Sequence, residues 1–258
     1  MKLLVSVVSA VEAGRAVAGG ADIVDVKDPR AGALGAPSPR AVSEVVRAVA
    51  GAAPISVALG DLPDPGLAAA LAGVAAPAGF AFVKAGLRGA GRLADAVAVM
   101  GAVAEAVGPA TAVIAATYAD AQALDPPALA PAELPALVER TGIAGALVDT
   151  FVKDGRGLYG WLSEAELTEL VARTRAAGGT FGVAGQLRLG ELRRVAADVV
   201  GVRSAVCAGG DRNASLDTEL VATAVAEVRA QPGTIRVPAP PTARTTTVTP
   251  VRRTASGM

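Results

Sequence analysis

The chain reads as a single (β/α)₈ barrel of the TIM type, and three features of its 258 residues say so. Eight short apolar runs recur along it, each followed by a stretch that can be helical. The core palette is 52% hydrophobic yet only 3% aromatic, so Ala, Val and Leu must build the interior, as in a parallel sheet wrapped by alanine-rich helices. Nothing resembling G-x-G-x-x-G follows the first strand, which removes the main support for an open dinucleotide-binding sheet.

Taken in order, the predicted strands are 2–8 (KLLVSVV), 22–27 (DIVDVK), 54–60 (PISVALG), 79–84 (GFAFVK), 111–117 (TAVIAAT), 144–149 (AGALVD), 180–184 (TFGVA) and 198–202 (DVVGV). Between them, local signals mark the helices. Ser38 and Pro39 read as an N-cap with proline at the first helical position, and Val42, Val45, Val46 and Val49 then recur at helical spacing. Residues 125–135 hold four prolines, which delays the next helix to about Pro131 or Pro135. Ser163 and Glu166 form a capping-box pattern flanked by Leu162 and Leu167 as a staple, and that helix should stop at Gly178 and Gly179. Eight βα units in a chain of this length favour barrel closure. The barrel is expected over residues 1–230, and residues 231–258, rich in Pro and Thr and lacking acids, are expected to be a flexible tail.

Composition narrows the function. Acidic and basic residues balance at 24 each without a basic block in the folded region, which disfavours nucleic acid and anionic membrane as partners. The N-terminal apolar run is too short to span a bilayer and is read as a strand, not a signal peptide. A single cysteine, Cys207, fits a reducing cytoplasm and is read as structural. The chain has no histidine, which excludes His-dependent triads, proton shuttles and zinc sites. Acid and base work must fall to Asp, Glu, Lys or Tyr. Alanine-rich outer helices are also surfaces on which a second copy could pack, making a homo-oligomer an open expectation.

In a barrel of this kind the chemistry sits at the C-terminal ends of the strands. Strand two ends in Asp25 and Lys27, strand four in Lys84 and strand six in Asp149, with Lys153 and Asp154 in the loop that follows. Asp25 and Lys27 share one face about 6.6 Å apart along the strand. Clustered and partly desolvated lysines depress one another's pKa, and a neutral lysine attacks carbonyl carbon to form a Schiff base. Loops seven and eight carry Gly185 and Gln186, then Gly201, Arg203, Gly209, Gly210 and Arg212, a set suited to phosphate. Tyr118 and Asp120 either face the mouth or pack, and Trp161 reads as a cover over loop six. A magnesium site built from Asp25, Asp149 and Asp154 is a competing reading, as is a barrel that only binds a phosphate ligand or a partner protein.

The segments ADIVDVKDPRAGALGA, VKAGLRG (83–89), YADA (118–121), LVDTFVKDG (147–155) and DVVGVRSAVCAGGDRN (198–213) together resemble the (5-formylfuran-3-yl)methyl phosphate synthase family of methanofuran biosynthesis, over about residues 1–230. The resemblance implies a barrel enzyme that condenses two molecules of glyceraldehyde 3-phosphate into a furan aldehyde phosphate without a metal or organic cofactor. It further implies Lys27 as the Schiff-base lysine, Lys84 as proton acceptor, Asp25 and Asp149 as their acidic partners, and Lys153 as a substrate-holding or carbonyl-assisting group. Ala33, Gln186 and Ser204 depart from the family pattern, all in loops. Another Schiff-base aldolase or isomerase of small phosphorylated sugars keeps the same lysines and remains the alternative.

Overall fold

The computed structural model describes residues 1–194 and 197–230. Eight parallel strands close into a barrel in chain order: β1 (Lys2–Val7), β2 (Ile23–Val26), β3 (Ile55–Asp61), β4 (Phe82–Gly86), β5 (Ala112–Tyr118), β6 (Gly145–Asp149), β7 (Thr180–Val183) and β8 (Val199–Val202). Closure is made by β1 on β8, with Lys2 opposite Val199 and Leu4 opposite Gly201. The TIM-barrel expectation holds, and each expected strand is present within a few residues.

Among the described residues seven α-helices surround the strands: α1 (Ala10–Ala18), α2 (Pro39–Val49), α3 (Pro65–Ala75), α4 (Leu93–Val107), α5 (Leu134–Thr141), α6 (Glu164–Ala176) and α7 (Thr218–Arg229). The two starts marked by the sequence are capped as expected. Ser38 Oγ accepts from Ala41 N–H, and Ser163 and Glu166 exchange both bonds of a capping box. α5 begins late, at Leu134, after a 3₁₀ turn over Pro131–Glu133. One helical expectation fails: among the described residues β7 is followed by a 3₁₀ segment, Leu189–Arg194, and not by an α-helix. Loop seven consumes the first residues after Val183, with Gly185 and Gln186 both at positive φ, and too few remain before β8 for a full crossover helix. The expected tail, 231–258, lies outside the described residues. No helix among the described residues is long and apolar enough to cross a membrane.

The strands sort their side chains by parity. Val5, Val24, Val26, Val57, Val83, Val113, Val148, Val183, Val200 and Val202 face outward into the helix layer and form the main hydrophobic core. The opposite parity carries Ser6, Asp25, Ser56, Lys84 and Asp149 to the barrel interior, all nearly inaccessible to solvent. A register shift between Ala58 and Asp61 in the β3–β4 pairing accompanies the arrival of Asp61 at the mouth. There its Oδ1 accepts a hydrogen bond from Tyr118 Oη at 2.7 Å.

Candidate active site

A buried ion pair and a partly buried one face each other across the C-terminal mouth, with a third lysine beside them. Lys84 Nζ on β4 donates to Asp25 Oδ2 on β2 at 2.7 Å, and Ser6 Oγ on β1 donates to the same oxygen at 3.0 Å. Across the mouth, Lys153 Nζ donates to Asp149 Oδ1 at 2.7 Å and to the Thr150 carbonyl and hydroxyl, while the Thr150 N–H also donates to Asp149 Oδ1.

Lys27, one residue beyond β2, is less completely paired. Its Nζ lies 3.9 Å from Asp149 Oδ2 and donates to the Ala33 carbonyl at 3.0 Å. That carbonyl is presented by the returning turn 28–35, where Asp28 caps Arg30 and its N–H donates to Gly35 O. Glycine is required at 35, because a Cβ there would overlap the Asp28 carbonyl oxygen. The bond to Lys27 uses only the backbone of residue 33, so alanine at this position costs it nothing.

The electrostatics single out the same amine. Burial lowers the Lys27 pKa to about 8; Lys84 and Lys153 push it the same way, while Asp149 and Asp25 oppose. For Asp149 burial alone would raise the pKa, but Lys153 and Lys27, with the hydrogen bonds from Lys153 and Thr150, hold the carboxyl at about 2. The site therefore presents a fixed carboxylate beside an amine that exchanges its proton near neutral pH, a combination suited to nucleophilic attack on a carbonyl.

Lys27, Lys84, Asp149 and Lys153 line an open cavity of about 570 Å³. Its far wall is Gly201 of β8 together with loops seven and eight, which bring Gly185, Gln186, Arg203, Ser204 and Arg212. Gly185 adopts φ +116°, and an added Cβ would press on Thr150. Gln186 ties loop seven to loop six by accepting from Gly155 N–H. Arg203 is engaged internally: it donates to Glu12 Oε2 at 2.8 Å, to Ser6 O and to Arg212 O. Arg212 lines the cavity, makes no ion pair among the described residues and donates only to Pro29 O at 3.3 Å. Gly209 and Gly210 stand on the exposed turn 208–210, outside the cavity wall.

Other residues found places that the sequence left open. Tyr118 packs edge-on against Phe151, its ring buried and its hydroxyl on Asp61. Asp120 accepts from the N–H groups of Phe151 and Val152, both at 2.8 Å, and so anchors loop six. Asp154 is paired with Arg156 at the surface, so the three carboxylates of the magnesium reading do not converge, and no such cluster exists among the described residues. The Arg156 guanidinium lies 4.2 Å over the Trp161 ring. Cys207 is buried, and burial raises its thiol pKa. Sequence reasoning missed Ser6, Glu12, Asp61 and Thr150. For Ser6 a signal existed, since it is the one polar residue inside LLVSVV; Glu12 and Asp61 gave none, because their partners are distant in sequence.

Comparison with known proteins follows the same lines. A family model described as 4-HFC-P synthase matches residues 3–225. The chain is 39% identical over 237 residues to the (5-formylfuran-3-yl)methyl phosphate synthase of Methanosarcina mazei, spanning 89% of this chain and 100% of that protein. To the protein of the same name from Methanopyrus kandleri it is 42% identical over 220 residues, spanning 82% and 92%. Among solved structures it resembles KGPDC from Streptococcus mutans, with a TM-score of 0.61 at 13% identity over 90% of this chain and 99% of that one. It also resembles N-(5'-phosphoribosyl)anthranilate isomerase from Pyrococcus furiosus, with a TM-score of 0.56 at 15% identity over 89% and 98%. At such identities the solved structures speak for the fold alone.

Proposed function

Because this chain belongs to the (5-formylfuran-3-yl)methyl phosphate synthase family, we propose that it makes that product from two molecules of glyceraldehyde 3-phosphate through an iminium on Lys27. The observation that carries the reading is the Lys27 amine, buried at the barrel mouth with its pKa lowered to about 8 and a permanent carboxylate, Asp149, 3.9 Å away.

The Lys27 amine adds to the aldehyde carbon of one triose phosphate, and loss of water from the adduct gives the iminium. The iminium withdraws electrons from the neighbouring carbon, whose proton passes to Lys84 Nζ. Protonated, Lys84 is held by Asp25. The enamine carbon then attacks the second aldehyde, and Lys153, fixed by Asp149 and Thr150, donates to the developing alkoxide. Ring closure, hydrolytic release of the amine and loss of one phosphate and two waters overall balance the atoms of two triose phosphates against one furan aldehyde phosphate. Arg212, with the N–H groups of the Gly185–Gln186 turn, is suited to hold a phosphate while the carbonyl end reacts.

Incubation with glyceraldehyde 3-phosphate and borohydride, followed by peptide mass mapping, tests the mechanism; an ultraviolet scan for a furan aldehyde tests the product. A reduced adduct on Lys27 together with furan is expected. Adduct without furan would move the chain to another Schiff-base aldolase reaction. Neither adduct nor furan would end the lysine mechanism.

A further inference from the structure

The interior of a (β/α)₈ barrel is normally filled by layers of bulky side chains. Here that filling is incomplete. Ser56 and Gly182 are small residues among larger inward ones, and an open second cavity of about 390 Å³ lies beneath the mouth, lined by Ile23, Ser56, Phe82, Ile114, Gly182 and Val199, with Lys84 at its top. Phe82, Ile114, Thr180 and Val199 face this interior and yet are each partly solvent-accessible, so the well opens at the N-terminal end of the barrel. Leu4, Lys84 and Leu147 line the upper cavity as well, and of the three only Lys84 can carry a proton between the two spaces.

Two buried polar atoms stand beside the well without a hydrogen-bond partner among the described residues: Ser56 Oγ and Asp25 Oδ1. Ser56 is 1% exposed and lines the well; Asp25 is fully buried and is the register neighbour of Ser56 on the adjacent strand. A carboxylate oxygen and a hydroxyl buried without a partner are each costly, and an apolar void would stay dry. The Ser56 hydroxyl on the wall of the well, Asp25 Oδ1 on the adjacent strand and Lys84 at its head are the polar partners that a water there needs.

We propose that this axial well holds a water file bound by Ser56 Oγ and Asp25 Oδ1, and that the file is the proton outlet of Lys84 toward the N-terminal face of the barrel. The relay rests on the reading of Lys84 as proton acceptor. When two triose phosphates fill the mouth, the upper face of Lys84 is covered by substrate, and a proton taken from carbon can leave only downward. It passes from Lys84 Nζ to a water in the well, an O–H bond forming as the N–H bond breaks, and then along the file to solvent, restoring the amine for the next cycle.

Two measurements decide it. A high-resolution crystal structure of the unliganded protein should show ordered waters within hydrogen-bond distance of Ser56 Oγ and Asp25 Oδ1; a dry well would overturn the proposal. Ser56→Val, which replaces the hydroxyl by a methyl and adds a second methyl that fills the well, on a strand that accepts β-branched residues, should lower kcat roughly tenfold with KM unchanged and enlarge the solvent deuterium isotope effect. Ser56→Ala, which leaves room for a replacement water, should keep more of the rate. In both variants borohydride trapping at Lys27 should proceed as in the parent, since iminium formation precedes the relay. A Ser56→Val protein with parental kcat and isotope effect would overturn the relay while trapping and furan formation leave the iminium mechanism standing. A parent protein that gives neither adduct nor furan would instead take down the reaction, and the relay with it.

Discussion

At the scale of single residues the site turns on one amine. An alkylammonium with an ordinary pKa near 10.5 would be almost wholly protonated at pH 7, whereas at about 8 roughly a tenth is free amine. The rate of iminium trapping should therefore rise with pH and level off above about 8. Asp149 is the largest influence raising the Lys27 pKa, so Asp149→Asn should move that limb to lower pH, the amine becoming freer but less well oriented. Trapping rates at pH 5 to 9 check this, and a limb that stays in place would show that Asp149 does not set the amine. On the opposite wall, Arg212→Ala should raise KM for a phosphorylated aldehyde by about 10- to 100-fold, the loss expected for one charge-assisted contact, and leave the KM for glyceraldehyde nearly unchanged.

At the scale of elements, chemistry is positioned by strands and by the loops they tie down. Loop six carries Lys153, and Asp120 from the end of β5 holds the loop through two backbone N–H groups. Asp120→Ala should orphan both donors, costing about 2 kcal/mol of stability and lowering kcat by at least tenfold as Lys153 loses its place; urea unfolding and steady-state kinetics read the two effects separately. This layer was only partly legible in the sequence. Caps and strand ends could be read because both depend on neighbours a few residues away, as with Ser38 on Ala41 and Ser163 with Glu166. The pairing of Arg203 could not, since Glu12 is 191 residues distant, and nothing local to the end of β8 showed that this cavity-lining arginine also clamps α1.

At the scale of the whole molecule, parity explains why the fold was readable and where the reading stopped. Every strand offers one face of Val and Ala to the helices, and that pattern is local to each run. Which opposite-parity residues meet inside the barrel depends on registers between strands, so strand ends alone put Lys84 and Asp25, 59 residues apart, at one mouth, and only the family resemblance implied an acidic partner for the lysine. The missing helix after β7 is likewise a matter of how far the chain must travel. Barrel closure also forces Lys27 into a desolvated place, and that has a cost with a definite pH signature. In the unfolded chain the amine keeps its proton to about pH 10.5, whereas in the fold it releases it from about pH 8. Between these values the unfolded state binds more protons, so stability rises with pH; the penalty, about 3 kcal/mol, is fully present below pH 8 and gone above pH 10.5. Lys27→Met removes the buried charge while keeping the volume. It should be inactive and yet more stable than the parent at pH 7 by about 1–3 kcal/mol, somewhat less than the full penalty because the bond to Ala33 O is lost. The gain should shrink steadily between pH 8 and 10.5. Urea unfolding of the two proteins side by side isolates the effect, since every other titrating group is common to both. A stability difference that stays constant across that range would mean that the fold exacts no charge penalty at Lys27, and that the amine is not the one poised for attack.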